Sequence, residues 1–365
     1  MTGSTAPDDI FAVIMAGGAG TRFWPVSRAA TPKQLVKIVG DATMIQATVA
    51  RLQPLIPAER VLVVTTAALA EETRRQLPML KPEHVIAEPV GRDTAAAVAL
   101  AALVIERIRP GAVMVMLPAD QVIRPADAFQ RALAAGAAVA RDGALVTYGI
   151  TPRFAATGYG YIKLADRLAD VGGCKINKVL RFIEKPDEAT AKQYVDDGGY
   201  RWNSGIFTWR SDVVWRELET HCGWLTAALA PLGAVWGSDR FASELARIYE
   251  PLKRISIDYA LMEKANDIRV VTGDYHWDDV GSWDSLYDHL PANEHGVISR
   301  GDVVAVDCRH TLVVNETTMV VAAAGLEHLT IVVTKDAVLI VPRGKGQLVK
   351  QAVDALKAKG RTDLI

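Results

Sequence analysis

Cysteine is scarce in this sequence. Cys174, Cys222 and Cys308 are its only three cysteines, and they lie far apart with no Cys-x-x-Cys pair among them. An odd number of widely separated cysteines disfavours both a disulfide framework and a zinc site with cysteine ligands. The thiols are therefore expected to be reduced, and we expect the protein to be cytoplasmic.

Net charge is also nearly absent. The 41 lysines and arginines balance the 42 aspartates and glutamates, which leaves a formal net charge of −1. Such a chain has no general electrostatic attraction to nucleic acid or to an anionic membrane surface. We therefore expect neither as a partner, although local clusters of positive charge can still bind phosphate.

Long apolar runs are missing as well. The longest, residues 95–105, is too short to span a bilayer and predicts a buried helix instead. Residues 1–10 have neither a basic start nor an apolar centre, which disfavours a signal peptide and predicts a short disordered leader. Half of the 365 residues are hydrophobic, so the chain can bury a sizeable core and form two domains.

Short β-type runs alternate with alanine-rich segments over the first 150 residues. The runs lie at residues 11–16, 61–66, 84–89, 113–118 and 144–150. Val, Ile and Leu occur on both faces of these runs, which predicts a mainly parallel sheet covered on both sides by helices. Ligands of such sheets gather at the carboxyl ends of the strands, where the sequence places Gly17, Glu88 and Asp120.

The pattern becomes mixed over residues 151–294. Strand candidates lie at residues 159–164, 178–182 and 206–210, and a helix is predicted at residues 187–195. We interpret this region as the substrate half of one domain that spans residues 11–294, whose other half is residues 11–150.

Residues 295–365 contain dense β-type runs without intervening helices and then an amphipathic helix at residues 347–359. The spacing predicts a small β-rich module, either a compact coil or a sandwich. Exposed strand edges in such a module favour self-association, so we expect a homodimer.

A glycine-rich segment at residues 17–34 directly follows the first β-type run. Its glycines are Gly17, Gly18 and Gly20, and its basic residues include Arg22, Arg28 and Lys33. The glycines allow backbone N–H groups to approach a ligand closely, and the cations can contact phosphate oxygens. The segment lacks the Gly-Lys-Ser/Thr ending of a P-loop and the G-x-G-x-x-G spacing of a dinucleotide fold. It predicts another kind of phosphate site or an ordinary tight connection.

Two aspartates could ligate a metal ion. Asp120 follows a β-type run in LPADQ, and Asp279 lies between tryptophans in WDDVGSW. Mg²⁺ is often held by only one or two protein carboxylates, with phosphate oxygens and water as further ligands. The structural alternatives are a helix N-cap for Asp120 and a turn position for Asp279.

Two further segments could bind a phosphorylated sugar. In FIEKP, Glu184 and Lys185 lie where a strand gives way to a helix, so that Lys185 could hold a phosphate; alternatively both are ordinary surface charges. In RWNSGIF, Asn203 precedes Gly205 and could hydrogen-bond a sugar hydroxyl.

Seven motifs identify a family when they are taken together. In order they are GGAGTRFWPVSRAATPKQ, EPVGRDTAAA, LPADQ, FIEKP, RWNSGIF, SIDYALMEK and WDDVGSW. Over nearly the whole chain this series resembles the sugar-1-phosphate nucleotidylyltransferases, most closely the bacterial branch that forms GDP-mannose. The resemblance implies a Rossmann-like, mainly parallel α/β nucleotidyltransferase core and a small C-terminal β-rich module, of which a left-handed β-helix is one form. Residues 11–294 would then be the catalytic domain, with the nucleotide-binding half at residues 11–150 and the sugar-phosphate half at residues 151–294.

The resemblance also implies an activity and its participants. The reaction would join GTP and α-D-mannose 1-phosphate to give GDP-mannose and pyrophosphate, with Mg²⁺ as cofactor. The sugar phosphate would attack the α-phosphorus in line, a transfer that needs positioning and neutralisation of charge more than covalent help.

Individual residues receive roles by the same resemblance. For the nucleotide they are Ala16, Gly17, Gly18, Gly20, Thr21, Arg22, Lys33, Glu88, Arg92, Asp93 and Asp120. For the sugar phosphate they are Gly158, Glu184, Lys185 and Asn203, and for the metal they are Asp120 and Asp279. The catalytic set would be Arg22, Lys33, Asp120, Lys185 and Asp279.

Glu88 is the candidate for guanine recognition. A carboxylate can accept hydrogen bonds from both N1–H and the 2-amino group of guanine, which uracil and thymine cannot offer. The alternative is a scaffold role in which Glu88 pairs with Arg92.

The sequence departs from the family pattern in two places. Gln121 follows Asp120 where a histidine or similar residue is usual, and glutamine cannot carry a proton. RDTAAA replaces a more usual Asn-Thr-Ala-Pro pattern, which weakens the assignment of base contacts. Two alternative functions stay open, namely a transferase for another sugar phosphate or nucleotide and a non-catalytic nucleotide-sugar sensor.

Overall fold

The computed structural model describes residues 9–18 and 20–365, which form two compact units. The first unit comprises residues 9–17, 49–119 and 123–277, and the second comprises residues 18–48, 120–122 and 278–365. The units therefore differ from the sequence segments 11–294 and 295–365, whose role as domains stays a prediction. Most of the predicted leader lies outside the described residues, and Ile10 already begins a strand.

The chain before residue 280 contains both strands and helices. The strands are β1 (Ile10–Met15), β2 (Val61–Thr66), β3 (Val85–Glu88), β4 (Val113–Pro118), β5 (Val122–Arg124), β6 (Leu145–Ile150), β7 (Tyr161–Val171), β8 (Cys174–Ile183), β9 (Tyr200–Arg210), β10 (Ile268–Thr272) and β11 (His276–Asp278). The helices are α1 (Met44–Ala50), α2 (Ala67–Gln76), α3 (Asp93–Ile108), α4 (Ala126–Arg141), α5 (Glu188–Asp197), α6 (Ser211–Leu229) and α7 (Phe241–Tyr249).

All of these strands except β5 and β11 form the nine-stranded sheet of the first unit. Its order is β3-β2-β1-β4-β9-β6-β10-β8-β7. Only β8 and β9 run against the other seven strands, as the parallel and antiparallel pairings require. The predicted mainly parallel α/β core is thereby confirmed, and the carboxyl ends of β1, β3 and β4 lie at the same edge of the sheet.

The alanine-rich helix α3 fills the space between the sheet and α6. Its residues 95–105 are all buried, so the helix has no polar face over this stretch. A helix that is apolar on every side is stable only when it is enclosed by other elements. This confirms that the longest apolar run of the sequence is a buried helix. No helix of the described residues is both long and apolar enough to cross a membrane.

The second unit contains a β-rich coil. Its elements after residue 280 are β12 (Ile298–Arg300), β13 (Val303–Val306), β14 (Leu312–Asn315), β15 (Val321–Ala324), β16 (Leu329–Val333), β17 (Val338–Pro342) and α8 (Leu348–Ala358). Strands β12 to β16 alternate between two sheets, because β12, β14 and β16 pair in parallel in one sheet and β13 and β15 pair in parallel in the other. The last strand, β17, pairs with β16 in the antiparallel direction. Of the two predicted forms, the structure therefore has the coil.

The glycine-rich segment shares a hydrophobic core with this coil. Phe23 and Trp24 are buried with Trp283 and with apolar residues of β14 and α8. The rings of Phe23 and Trp283 have centroids 5.1 Å apart, and Trp283 Nε1 donates to the Trp24 carbonyl at 3.0 Å. Trp24 Nε1 in turn donates to the Leu364 carbonyl at 2.7 Å. The conformation of the segment therefore depends on residues near the opposite end of the sequence.

A buried polar pair joins β3 to α7 in the first unit. The Tyr249 hydroxyl donates to Oε1 of Glu88, and both side chains are almost completely buried. Burial raises the pKa of Glu88 to about 7, although the hydrogen bond from the tyrosine acts in the opposite direction. The carboxyl group is therefore partly protonated at neutral pH.

The shared core of the second unit predicts that Phe23→Ala destabilises the coil. Phe23 is 1% exposed, and removal of a buried phenyl ring costs about 3–5 kcal/mol. Urea unfolding should show this loss, and hydrogen exchange of β14 amides should accelerate with it. Met319→Ala, at a side chain that is 57% exposed, is the matched control and should change stability little. Unaltered exchange in β14 would contradict the shared core.

The raised pKa of Glu88 predicts a pH dependence of stability. The folded state holds this proton more tightly than the unfolded state, so the free energy of unfolding should fall as pH rises from about 4.5 to about 7. The contribution of this group is about 2–4 kcal/mol. In urea unfolding at a series of pH values, wild type should lose stability relative to Glu88→Gln across that window and not above it. A difference that does not vary with pH would refute the assignment.

Candidate active site

The glycine-rich segment holds Lys33 in a buried position in the second unit. Gly20 has a φ of 56°, and a Cβ added to it would lie 2.5 Å from Lys33 Cβ. A residue larger than glycine therefore does not fit there. Ser27 Oγ donates to the Gly20 carbonyl at 2.6 Å, and Gln34 Nε2 donates to the Gly18 carbonyl at 3.0 Å. These bonds fix the loop around Lys33, which is only 4% exposed.

The Lys33 ammonium group contacts both candidate metal-binding aspartates. Its Nζ lies 3.0 Å from Asp120 Oδ2 and donates to the backbone carbonyl of Asp279 at 2.6 Å. A buried ammonium group requires partners of this kind, because burial without them is costly. The structure thus brings together Lys33, Asp120 and Asp279, which are far apart in the sequence. The buried Gln121 lies beside Asp120 in the chain.

Asp120 does not cap a helix, so that structural alternative is wrong. It lies in a turn after β4, and the next helix is α4, whose N-cap position is Pro125. The side chain of Asp120 is 41% exposed and can therefore still reach a ligand.

Asp279 belongs to a strained turn. The next residue, Val280, is buried and has a φ of 47°, an unfavourable value for a β-branched residue. Asp278 Oδ1 accepts a hydrogen bond from the Val280 amide at 2.6 Å, and Asp278 Oδ2 lies 3.0 Å from His289 Nε2. The turn position predicted as an alternative for Asp279 is therefore observed, and the same turn directs its carbonyl to Lys33. Backbone strain of this kind concentrates at functional sites.

The two arginines of the glycine-rich segment, Arg22 and Arg28, differ in their exposure and in their contacts. Arg22 is exposed at the surface of the second unit. Arg28 is committed to other groups, because it donates to Asp336 Oδ1 at 2.7 Å and to the Pro25 carbonyl at 2.7 Å. Arg28, which the sequence offered as a phosphate contact, therefore serves the second unit as part of an ion pair.

The backbone positions that were predicted to bind the triphosphate also lie in different environments. Gly17 and Gly18 are exposed, and Thr21 begins the 3₁₀ turn Thr21–Phe23. The amide of Ala16 is already used, since it donates to the Val64 carbonyl at 2.8 Å. Ala16 therefore extends the sheet and has no amide hydrogen to offer a phosphate.

Glu88 does not pair with Arg92, so the predicted scaffold contact is wrong. Glu88 accepts from Tyr249, whereas Arg92 donates to the carbonyls of Tyr249, at 3.2 Å, and of Glu250. Asp93 lies at the start of α3 with a φ of 69°, and its exposed side chain lines a cavity of the first unit. Glu88 is thus held at the end of β3 by a different partner from the one expected.

That cavity has a volume of about 680 Å³ and contains charged groups of both signs. Its polar lining includes Asp93, Glu184, Lys185, Arg254, Asp258 and Tyr259. The predicted sugar-phosphate residues Glu184 and Lys185 therefore line one cavity together with a predicted nucleotide residue, Asp93. Sequence analysis had not assigned a role to the other three.

Lys185 itself has a strained backbone. Its φ is 43°, and Pro186 follows it. Nζ of Lys185 lies 2.6 Å from Glu184 Oε1, and this hydrogen bond raises the pKa of the lysine. The ammonium group is charged at neutral pH and 62% of the side chain is exposed, so it can bind an anion.

Gly160, rather than Gly158, makes the close approach to the predicted sugar residues. A Cβ added to Gly160 would lie 2.7 Å from Glu184 Oε2 and 3.4 Å from Asn203 Cβ, whereas one added to Gly158 would have no neighbour within 4 Å. The Gly160 carbonyl also accepts from the Asn203 amide at 2.8 Å. Both glycines belong to the sequence TGYGY, of which Gly158 is the first and Gly160 the second.

Asp258 is a further residue that sequence analysis missed. It begins the π-helical turn Asp258–Met262 within SIDYALMEK, and its Oδ1 accepts from Asn203 Nδ2 at 3.0 Å. Burial and then the charge of Glu184 raise the pKa of Asp258 to about 6. The available signal was the motif itself, which matched the family but had no assigned role.

Two family models match this chain. Residues 11–295 match the family described as nucleotidyl transferase. Residues 301–356 match the MannoseP isomerase/GMP-like beta-helix domain, in agreement with the coil of the second unit.

Similar proteins match nearly the full length of this chain. Xanthan biosynthesis protein XanB of Xanthomonas campestris pv. campestris (strain B100) is 39% identical over 361 residues, which are 97% of this chain and 75% of that protein. A mannose-1-phosphate guanylyltransferase of Klebsiella pneumoniae is 40% identical over 354 residues, which are 96% of this chain and 74% of that protein.

A solved structure has the same fold. The crystal structure described as mannose-1-phosphate geranyltransferase from Thermus thermophilus superposes with a TM-score of 0.86 at 34% identity, and the match covers 96% of this chain and 99% of the other. Since the family model alone spans well over half of the sequence, the chain belongs to the nucleotidyl transferase family.

Proposed function

We propose that this protein transfers GMP from GTP to α-D-mannose 1-phosphate and so forms GDP-mannose and pyrophosphate. The observation that carries the proposal is the contact of the buried Lys33 ammonium group with both Asp120 and Asp279. Relatives described as mannose-1-phosphate guanylyltransferases support the choice of substrates.

The reaction is an in-line displacement at phosphorus. A phosphate oxygen of the sugar substrate forms a bond to the α-phosphorus of GTP, and the bond to the bridging oxygen of the leaving pyrophosphate breaks. Arg22, Lys33 and the exposed backbone at Gly17 and Gly18 would neutralise and position the triphosphate, whose charge increases on the leaving side.

Asp120 and Asp279 suit Mg²⁺ as a cofactor. Both offer carboxylate oxygen, the ligand type that this ion prefers, and Mg²⁺ commonly takes only one or two protein carboxylates. Lys33 Nζ holds the two residues near each other, through the carboxylate of Asp120 and the backbone carbonyl of Asp279. A bound Mg²⁺ ion supplies positive charge that neutralises the reacting phosphates.

Residues of the first unit would bind the sugar phosphate and the guanine base. Lys185 would hold the phosphate of the sugar, while Glu184, Asn203 and the backbone around Gly158 would contact its hydroxyl groups. Glu88 would accept from the guanine base, with Arg92 and Asp93 nearby in the chain.

We also infer that the enzyme works as a cytoplasmic homodimer. The three free, buried cysteines fit a reducing compartment. Exposed apolar side chains on the second unit, including Val304, Val306 and Ile340, offer a surface for a second copy.

A substrate panel tests the proposed function. Purified protein with Mg²⁺ is supplied with each of the common nucleoside triphosphates and a set of hexose 1-phosphates, and pyrophosphate release is measured. We expect the highest kcat/KM with GTP and mannose 1-phosphate. Preference for a different pair would reassign the substrates, and binding of GDP-mannose without any pyrophosphate release would establish a sensor instead.

Asp279→Asn should lower kcat by at least about a hundredfold while leaving the melting temperature nearly unchanged. The substitution removes a ligand charge where negative charge accumulates in the transition state. Pyrophosphate release at saturating substrates and a range of Mg²⁺ concentrations measures the effect. The matched control is Asp274→Asn, at an aspartate five positions earlier, which should keep full activity. Near-normal turnover in Asp279→Asn would remove this residue from the metal site.

Lys185→Ala should chiefly weaken the use of mannose 1-phosphate. Loss of a charge-assisted contact predicts a rise in KM for the sugar phosphate of about ten- to a hundredfold, with little change in KM for GTP. Lys178→Ala, at a lysine on β8, controls for the loss of a positive charge. Equal Michaelis constants in Lys185→Ala and wild type would exclude the phosphate role.

A further inference from the structure

Asp258 has no role in the proposed function, although it lies beside residues that do. It lines the cavity of about 680 Å³ in the first unit together with Glu184 and Lys185. It also begins the π-helical turn Asp258–Met262, a rare backbone form that is frequently found at functional sites. The cavity and the π-helical turn together indicate a functional role for the Asp258 carboxylate.

The hydrogen bonds of Asn203 determine which of its atoms faces Asp258. Asn203 Oδ1 accepts from the Gly205 amide at 3.1 Å and from Thr147 Oγ1 at 3.4 Å. Its Nδ2 therefore points the other way and donates to Asp258 Oδ1 at 3.0 Å. This network fixes the orientation of the amide, so Asn203 acts as a donor toward the carboxylate.

Asp258 keeps capacity for a ligand after this bond. A carboxylate offers about four acceptor positions, and Asn203 occupies one of them. Of these two residues, Asp258 is the one that lines the cavity. Its neighbour Glu184 is engaged differently, because Oε1 contacts Lys185 Nζ at 2.6 Å. An acceptor in a cavity that also presents a lysine matches a sugar phosphate, whose hydroxyl groups donate and whose phosphate binds the cation.

We propose that Asp258 binds the sugar directly, by accepting a hydrogen bond from a hydroxyl group of the hexose 1-phosphate, and that Asn203 positions its carboxylate. This inference rests on the proposed function and deepens it. It gives Asn203 a supporting role and transfers the direct sugar contact to a residue of SIDYALMEK.

Steady-state kinetics of Asp258→Asn and Asp258→Ala test the contact. Loss of a hydrogen bond to a charged acceptor predicts that KM for mannose 1-phosphate rises about ten- to a hundredfold. KM for GTP should stay within about twofold of wild type. Glu263→Gln is the matched control, because Glu263 is an exposed carboxylate of the same segment and does not line the cavity. Unchanged KM for the sugar phosphate in Asp258→Ala would overturn the proposal.

Deoxy analogues separate direct contact from a structural role. Wild type and Asp258→Ala are compared with mannose 1-phosphate and with analogues that each lack one hydroxyl group. If Asp258 accepts from one hydroxyl, the analogue without that group should be used equally well by both proteins, and the other analogues should retain the difference. An equal loss with every analogue would show that Asp258 only supports the fold, which refutes the proposal.

Calorimetric titration with mannose 1-phosphate tests the same point without turnover. Weaker binding by Asp258→Ala than by wild type supports the sugar contact, and equal binding overturns it. Absence of pyrophosphate release from wild type with GTP and mannose 1-phosphate would refute the proposed function, whatever the titration gives. The two failures are thus distinguishable.

Discussion

The second unit depends on the placement of one buried positive charge. The Lys33 ammonium group contacts the Asp120 carboxylate and the Asp279 carbonyl, and so fixes three segments that are separated by long stretches of sequence. An ammonium group that is this buried is stable only where such oxygen atoms surround it. Gly20 has no side chain, which leaves room for Lys33, and the strained turn at Val280 positions the Asp279 carbonyl. Loop, aspartates and turn therefore form one arrangement.

Strained backbone recurs where the candidate chemistry lies. Val280, Lys185 and Asp93 are not glycines, yet each has a positive φ. Val280 follows a candidate metal ligand, and the other two line the cavity of the first unit. Surrounding contacts maintain these conformations, such as the hydrogen bond from the Val280 amide to Asp278. Asp307, His310 and His328 of the β-rich coil also have a positive φ, so backbone of this kind is not confined to the candidate sites.

Much of this architecture follows from local sequence, and the remainder does not. The alternation of Val-rich and Ala-rich segments predicted the strands of the parallel sheet and the buried helix α3. These elements are predictable because an element that is buried on all sides has a continuous apolar sequence. No local pattern indicates that Phe23 and Trp24 pack with Trp283, since that contact is set by tertiary structure. Likewise, only the tertiary structure shows that Gly160, two residues after the predicted Gly158, is the glycine that packs against Glu184. Motif resemblance found the family and the convergent aspartates, but it gave no role to Asp258.

The hydrogen bond from Trp24 to the Leu364 carbonyl has a consequence for biosynthesis. A ribosome adds roughly 5–20 residues per second, and domains tend to fold as their last segments emerge. The sheet of the first unit can pair once residue 277 is available, whereas the core around Trp24 has to wait for β14, α8 and the residues near 364. The glycine-rich segment is therefore made well before the residues that complete its surroundings. The segment should therefore reach its final conformation only after the residues near 364 have left the ribosome.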